Sequence, residues 1–252
     1  MKQEGQFLLF TREEFKSWLF NSQFKRKVKL IQNHHTYLPD YQSFSGSNHF
    51  DMLNSMRDYH IKQEGFADIA QNLTTFPDGT IALCRNFERD PAGIYGANTG
   101  AICIEHVGNF NKDNMTEEHK KSIVFLNSVL CICFGLTPST DAIVYHHWYD
   151  LDTGRRTNGT GLTKTCPGIK FFGGNTVEAC QTNFMPLIKK AIGESSMEWK
   201  EIVKKVASSP EEWEKAIEAA VNAAKAEGDL GALEIFRFLP QLIEKIYNTK
   251  GV

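Results

Sequence analysis

Twice in this chain a short apolar run leads into a pair of histidines. Val28-Lys29-Leu30-Ile31 precedes Asn33-His34-His35-Thr36, and Ala142-Ile143-Val144 precedes Tyr145-His146-His147-Trp148. Runs this short read as buried strands, so residues 28–31 and 142–145 are expected to be strands, the first ending at the first histidine pair and the second at the second pair. Further strands are expected at 71–76, 81–84 and 101–105. The first two are joined by Pro77-Asp78-Gly79-Thr80, which has the residue chemistry of a hairpin turn.

Helical patterns lie between these strands. Thr11-Arg12-Glu13-Glu14 has the form of a capping box and opens a short helix through Phe15, Trp18 and Leu19. Phe50, Leu53, Met56 and His60 recur at helical spacing over 48–63, as do Ile123, Leu126, Val129, Leu130 and Cys133 over 116–134. Residues 177–192 also read as helix, and 150–164 as a polar loop rich in Gly and Thr. Alternation of this kind predicts a mixed α/β fold, with a central mixed β-sheet flanked by helices. Ligand sites in such sheets gather at strand ends, where both histidine pairs are expected.

Composition shifts after Gly193. Ser209-Pro210-Glu211-Glu212 supplies a cap, a proline at the first helical position and an early glutamate. Apolar faces follow at Trp213, Ile217, Val221 and Ala224, then at Leu233, Phe236, Leu239, Ile243 and Ile246. The expected organisation is a main domain over 1–193 and a small all-helical appendage over 195–252. That appendage would serve in targeting, in dimerisation or as a packing extension.

The chain has 252 residues, 41% hydrophobic and 23% charged, with a formal net charge of -2. That balance suits an ordinary soluble domain and gives no global electrostatic footprint for nucleic acid or an anionic membrane. No run approaches the roughly 18 apolar residues of a membrane span. The first residues carry no signal-peptide pattern, so synthesis in the cytoplasm without an export signal is expected. The six cysteines show no disulfide-scaffold spacing, and Cys103, Cys131 and Cys133 read as small buried hydrophobes. Cys166 differs, because it stands in the polar loop Lys164-Thr165-Cys166-Pro167-Gly168.

Taken singly, a histidine at a strand end is more often a satisfied polar group than a ligand. Taken together, His34, His146 and Cys166 make an incomplete tetrahedral set. Zinc with three protein ligands keeps its fourth position for water, the arrangement of a catalytic site. Such a site also needs a carboxylate to move the water's proton and a cation near the developing oxyanion. Glu105, which interrupts the apolar strand Ile102-Cys103-Ile104, suits the first task, and Lys164 can reach the same space for the second. A solvent-facing glutamate and an exposed loop lysine are the plainer alternatives.

Six segments occur in the order found in one family. They are Asn33-His34-His35-Thr36, Phe66-Ala67-Asp68-Ile69, Pro77-Asp78-Gly79-Thr80-Ile81, Ile102-Cys103-Ile104-Glu105, Tyr145-His146-His147 and Lys164-Thr165-Cys166-Pro167-Gly168. Over about residues 25–180 the chain resembles the zinc-dependent N-acetylmuramoyl-L-alanine amidases of type 2, which include endolysin-like enzymes and are related to peptidoglycan recognition proteins. The resemblance implies zinc (Zn2+) held by His34, His146 and Cys166, with Glu105 as catalytic carboxylate and Lys164 stabilising the tetrahedral intermediate. The implied reaction is hydrolysis of the amide between N-acetylmuramic acid and L-alanine of peptidoglycan, by an endolysin or autolysin that reaches the wall after release. His35, Gln71, Asn98 and His147 are candidate substrate contacts.

Two departures stand out. Where one branch of the family carries a catalytic tyrosine before the Asp-Gly turn, this chain has Gln71, which shifts weight to Glu105. The loop from Trp148 to Leu162 is longer than in compact relatives. A wall-binding module on the same fold, another zinc hydrolase and a closed structural metal site are the competing readings; the absence of H-E-x-x-H disfavours zincin proteases.

Overall fold

In this computed structural model, which describes residues 1–193, seven strands form one sheet in the order β1-β2-β5-β4-β6-β3-β7. The strands are β1 (Lys2–Glu4), β2 (Phe7–Phe10), β3 (Leu30–His35), β4 (Leu73–Thr75), β5 (Ile81–Leu83), β6 (Ala101–His106) and β7 (Ile143–Tyr145). β1, β2, β5 and β4 pair antiparallel, whereas β4, β6, β3 and β7 pair parallel. The fold is mixed α/β, as the alternating pattern predicts. The helices are α1 (Arg12–Asn21), α2 (His49–Lys62), α3 (Glu117–Phe134) and α4 (Val177–Ala179), the last running into a π-type turn at Cys180–Phe184. None among the described residues is long and apolar enough to cross a membrane.

The backbone divides into two units. One comprises Met1–Arg12 with Phe24–Ile192, and the other takes in Glu13–Gln23, which holds most of α1. The expected helical appendage over 195–252, with its targeting or dimerising role, lies outside the described residues.

Two differences from the sequence reading matter. β3 starts later than expected and runs through His34 and His35, because parallel ladders on both sides pair the backbone up to His35↔His106 and Asn33↔Tyr145. The hairpin β1–β2 was not expected. Its strands are only three and four residues long, too short for a period to register, and the turn between them uses Gly5 at φ 54. The expected turn at Pro77-Asp78-Gly79-Thr80 does join β4 to β5. There Gly79 donates its N–H to Phe76 O at 2.9 Å and adopts φ 87.

Strand alternation gives the sheet two different faces. On one, Met52, Leu53 and Met56 of α2 pack into a cluster with Phe76, Ala82, Cys84 and Val107. Thr74, Cys103, Glu105, Gln32 and His34 share this face by register.

The opposite face lies against α3, which is capped at both ends. Thr116 Oγ1 accepts the His119 N–H at 3.1 Å, and Gly135, left-handed at φ 65, closes the C-terminus. Between α3 and the sheet runs a polar chain with one consistent direction, exposed at Thr116, half-buried at Tyr41 and buried from His119 onward. Thr116 N–H donates to the Tyr41 hydroxyl (3.2 Å), which donates to His119 Nδ1 (2.8 Å). His119 Nε2–H donates to Thr75 Oγ1 (2.7 Å), which donates to His106 Nδ1 (2.7 Å). His106 Nε2–H then donates to Asn33 Oδ1 (3.0 Å), and Asn33 and Asn127 exchange two amide bonds at 3.0 Å each. The tautomers follow from this order of donors and acceptors. Burial keeps both rings neutral and takes the pKa of His119 down to about 3.

Asn33 and His106 are the neighbours of His34 and Glu105 in β3 and β6, so this chain anchors the strands that carry the site. Asn127→Ala strands the Asn33 amide N–H in the core, and a buried unsatisfied donor costs about 1–3 kcal/mol. Denaturant unfolding is expected to show that loss. Lys120→Ala, which removes an exposed pair with Glu117 at 2.7 Å, is expected to change stability by no more than about 0.5 kcal/mol.

Candidate metal centre

The three parallel strands β6, β3 and β7 end on the same edge of the sheet. In register, His34 lies directly opposite Glu105. His146 follows the last residue of β7, in a short 3-10 turn with His147 and Trp148. The Nδ1 atoms of His34 and His146 face each other at 3.2 Å. Tetrahedral zinc with bonds of about 2.0–2.1 Å sets its nitrogen ligands about 3.3 Å apart. The Cys166 sulfur completes a group whose ligand atoms all lie within 4.8 Å of one another.

Cys166 is delivered by a loop pinned to both histidine segments. The His35 N–H donates to Cys166 Sγ at 3.4 Å, and the His147 N–H donates to Cys166 O at 2.8 Å. Asn175 Nδ2 donates to Thr165 O, and Trp148 Nε1 donates to Asn175 O. Gly168 has φ 108, and a Cβ there would meet the Phe110 carbonyl carbon at 2.5 Å. Only glycine lets the chain turn here against Phe110.

The electrostatics suit a cation. Burial first, then the charge of His146, holds the His34 pKa well below its usual range, so the ring is neutral and can offer a lone pair. Burial, with help from Lys164, takes His146 down to about 4. The Cys166 thiol is pushed up, first by burial and then by Glu105, so a metal must displace its proton. Two neutral imidazoles and a sulfur are a donor set that would suit zinc.

Glu105 sits beside this group, its Oε1 3.8 Å from His34 Nδ1 and its Oε2 buried without a partner. Burial raises its pKa to about 8 against the pull of Lys164. Lys164 itself is exposed, yet its charge also acts on His34 and His146.

The four candidate substrate contacts fare differently. Gln71 has no exposed surface, and its amide donates to Thr74 Oγ1 at 3.0 Å under Met56 of α2. This corrects its reading as a ligand contact: the side chain supports β4. Asn98 uses its Oδ1 to accept the N–H groups of Gly93 and Ile94, both at 2.9 Å, and so shapes the loop before β6. The ring of His35 accepts the Phe110 N–H at 3.1 Å. The His147 Nδ1 lies 2.7 Å from Lys164 O and ties the two loops together. Cys103, expected to be a plain buried hydrophobe, also borders the site. With His34 and Glu105 it forms a second group whose ligand atoms lie within 4.8 Å. Its place on the same face of β6 as Glu105 was the available signal. All six cysteines are free thiols.

A family model for N-acetylmuramoyl-L-alanine amidases matches residues 24–169, more than half of the chain and every residue of the centre. The chain belongs to this amidase family. Among solved structures it is similar to the N-acetylmuramoyl-L-alanine amidase LysC from Clostridium intestinale URNW, at 22% identity and TM-score 0.44, over 58% of this chain and 80% of that one. It is also similar to wild-type Drosophila PGRP-LB, at 18% identity and TM-score 0.49, over 64% of this chain and 84% of that one. These likenesses add nothing to the family assignment. No curated protein matches the chain.

The raised pKa of Glu105 makes the stability of the metal-free protein depend on pH. A carboxyl with a raised folded pKa binds its proton more tightly folded than unfolded. Its contribution is therefore present at low pH and lost as pH climbs from about 4.5 to about 8. The depressed histidines act oppositely, but below about 6.5. With chelator present, the urea midpoint of the parent is expected to fall between pH 6.5 and 8, while that of Glu105→Gln stays level. Parallel profiles would show that Glu105 does not hold a proton in the folded state.

Proposed function

We propose that this family member is a zinc-dependent hydrolase that cuts the amide between N-acetylmuramic acid and L-alanine in bacterial peptidoglycan, as endolysins and autolysins do. The observation that carries the reading is the pair of facing imidazole nitrogens 3.2 Å apart, with a thiol and an orphaned carboxyl at the same point.

His34, His146 and Cys166 would hold the ion. Zinc, when bound, supplies Lewis acidity and brings the pKa of a bound water to about 7. Glu105 takes the proton of the attacking water and later hands it to the departing L-alanine nitrogen. A carboxyl that both accepts and donates a proton suits both transfers. The Lys164 ammonium, on the flexible end of an exposed side chain, approaches the lactyl carbonyl oxygen as negative charge develops there. The loop after Trp148 folds back on itself, with Leu151 N–H to Leu162 O at 2.8 Å and Arg156 stacked 5.2 Å over Trp148. In this reading the loop would form one wall of the substrate groove.

Digestion of purified peptidoglycan, followed by labelling of new amino termini, tests the bond and the metal together. N-terminal alanine is expected to appear, to vanish with a zinc chelator and to return when zinc is added. Glu105→Gln is expected to keep its zinc and lose at least about 100-fold in turnover. New reducing sugars would mean a glycosidase. Wall binding with no new termini would mean a binding module.

A further inference from the structure

Two of the buried side-chain atoms left without a partner meet next to the candidate centre. His34 Nε2 and Gln32 Oε1 have no hydrogen-bond partner, although neither is solvated. Both side chains lie on the same face of β3, two residues apart, and both point at Gly93. A Cβ on Gly93 would stand 2.3 Å from Gln32 Oε1 and 3.2 Å from His34 Nε2. Gly93 does not have a positive φ, so space rather than backbone conformation excludes a side chain there.

The orientation of the Gln32 amide is set from the other end. Its Nε2 donates to Ala97 O at 2.8 Å, which turns Oε1 toward Gly93 and His34. The carbonyl of Ala97 and the backbone of Gly93 belong to one loop, clamped by Asn98 through the N–H groups of Gly93 and Ile94. Cys103 Sγ also faces Gly93, at 2.8 Å from the same Cβ position. A neutral thiol is a weak acceptor and can itself donate to a second lone pair of the amide oxygen, so it does not compete for an imidazole proton.

The His34 Nδ1 faces His146 and must offer its lone pair to a metal. The proton of the neutral ring then sits on Nε2, and a ligating histidine holds that proton on an acceptor that fixes its tautomer and its plane. We propose that Gln32 is this positioning residue. Its amide oxygen accepts the Nε2 proton of His34, directly or across one water, and Gly93 keeps the space that lets them meet. The inference rests on His34 being a metal ligand.

Zinc affinity by competition with a chromophoric chelator, together with imidazole 15N shifts of the zinc-loaded protein, tests it. In the parent, His34 is expected to show a protonated Nε2 and a metal-bound Nδ1. Gln32→Leu is expected to weaken zinc by about 10- to 100-fold, and Gln32→Glu, which retains an acceptor oxygen, to recover much of that loss. Gly93→Ala, which displaces the amide oxygen, is expected to weaken zinc similarly, and the double variant to be no weaker than Gly93→Ala alone. If the parent binds zinc with His34 but Gln32→Leu and Gly93→Ala bind it equally tightly, the positioning role is wrong while the metal site stands. If the parent binds no zinc through His34, both readings fall.

Discussion

The candidate centre depends on one constraint: the parallel pairing of β3 with β6 on one side and β7 on the other. Parallel strands present their ends on one edge, and the register here puts His34 beside Glu105 and Asn33 beside Tyr145. Since side chains alternate across a sheet, a slip of one residue in β3 would turn His34 and Gln32 to the opposite face. Register is therefore the condition for a metal site, and the fold fixes it strongly. Asn33 on the opposite face is locked to Asn127 of α3 and to His106 of β6. The out-of-register strand would leave those buried amide and imidazole groups unpaired.

The two faces thus divide the work. Under α3 every member of the chain from Thr116 to Asn127 has a partner, and the chain ties β3, β4 and β6 together. On the other face, buried polar atoms are left without partners: His34 Nε2, Gln32 Oε1, Glu105 Oε2 and, under α2, Gln71 Oε1. Buried orphans are costly, and three of these four belong to His34, its register partner Glu105 and its strand neighbour Gln32. The same burial keeps the imidazoles neutral and the glutamate ready to carry a proton.

Much of this was legible in the sequence, because short apolar runs ending in histidines mark strand ends and Cys-Pro-Gly marks a loop. The structure brings His34, His146, Cys166 and Glu105 together. What was not legible depends on partners far along the chain. The buried place of Gln71 follows from α2 lying over β4. The role of Asn98 follows from a loop whose turns have no period. Gln32 and Gly93 are 61 positions apart, and neither stands in a recognisable motif. Only the packing of the 93–98 loop against β3 makes them neighbours. β1 and β2 were invisible for another reason: strands of three or four residues carry too few alternations to be read.

The central claim is that two imidazoles and one thiolate hold an ion that keeps a place for water. X-ray absorption at the zinc edge of the zinc-loaded protein measures this coordination directly. The account predicts one sulfur at about 2.3 Å and three nitrogen or oxygen neighbours at about 2.0–2.1 Å, with one of the light ligands exchangeable. A shell without sulfur, or one closed by four protein ligands, would contradict it.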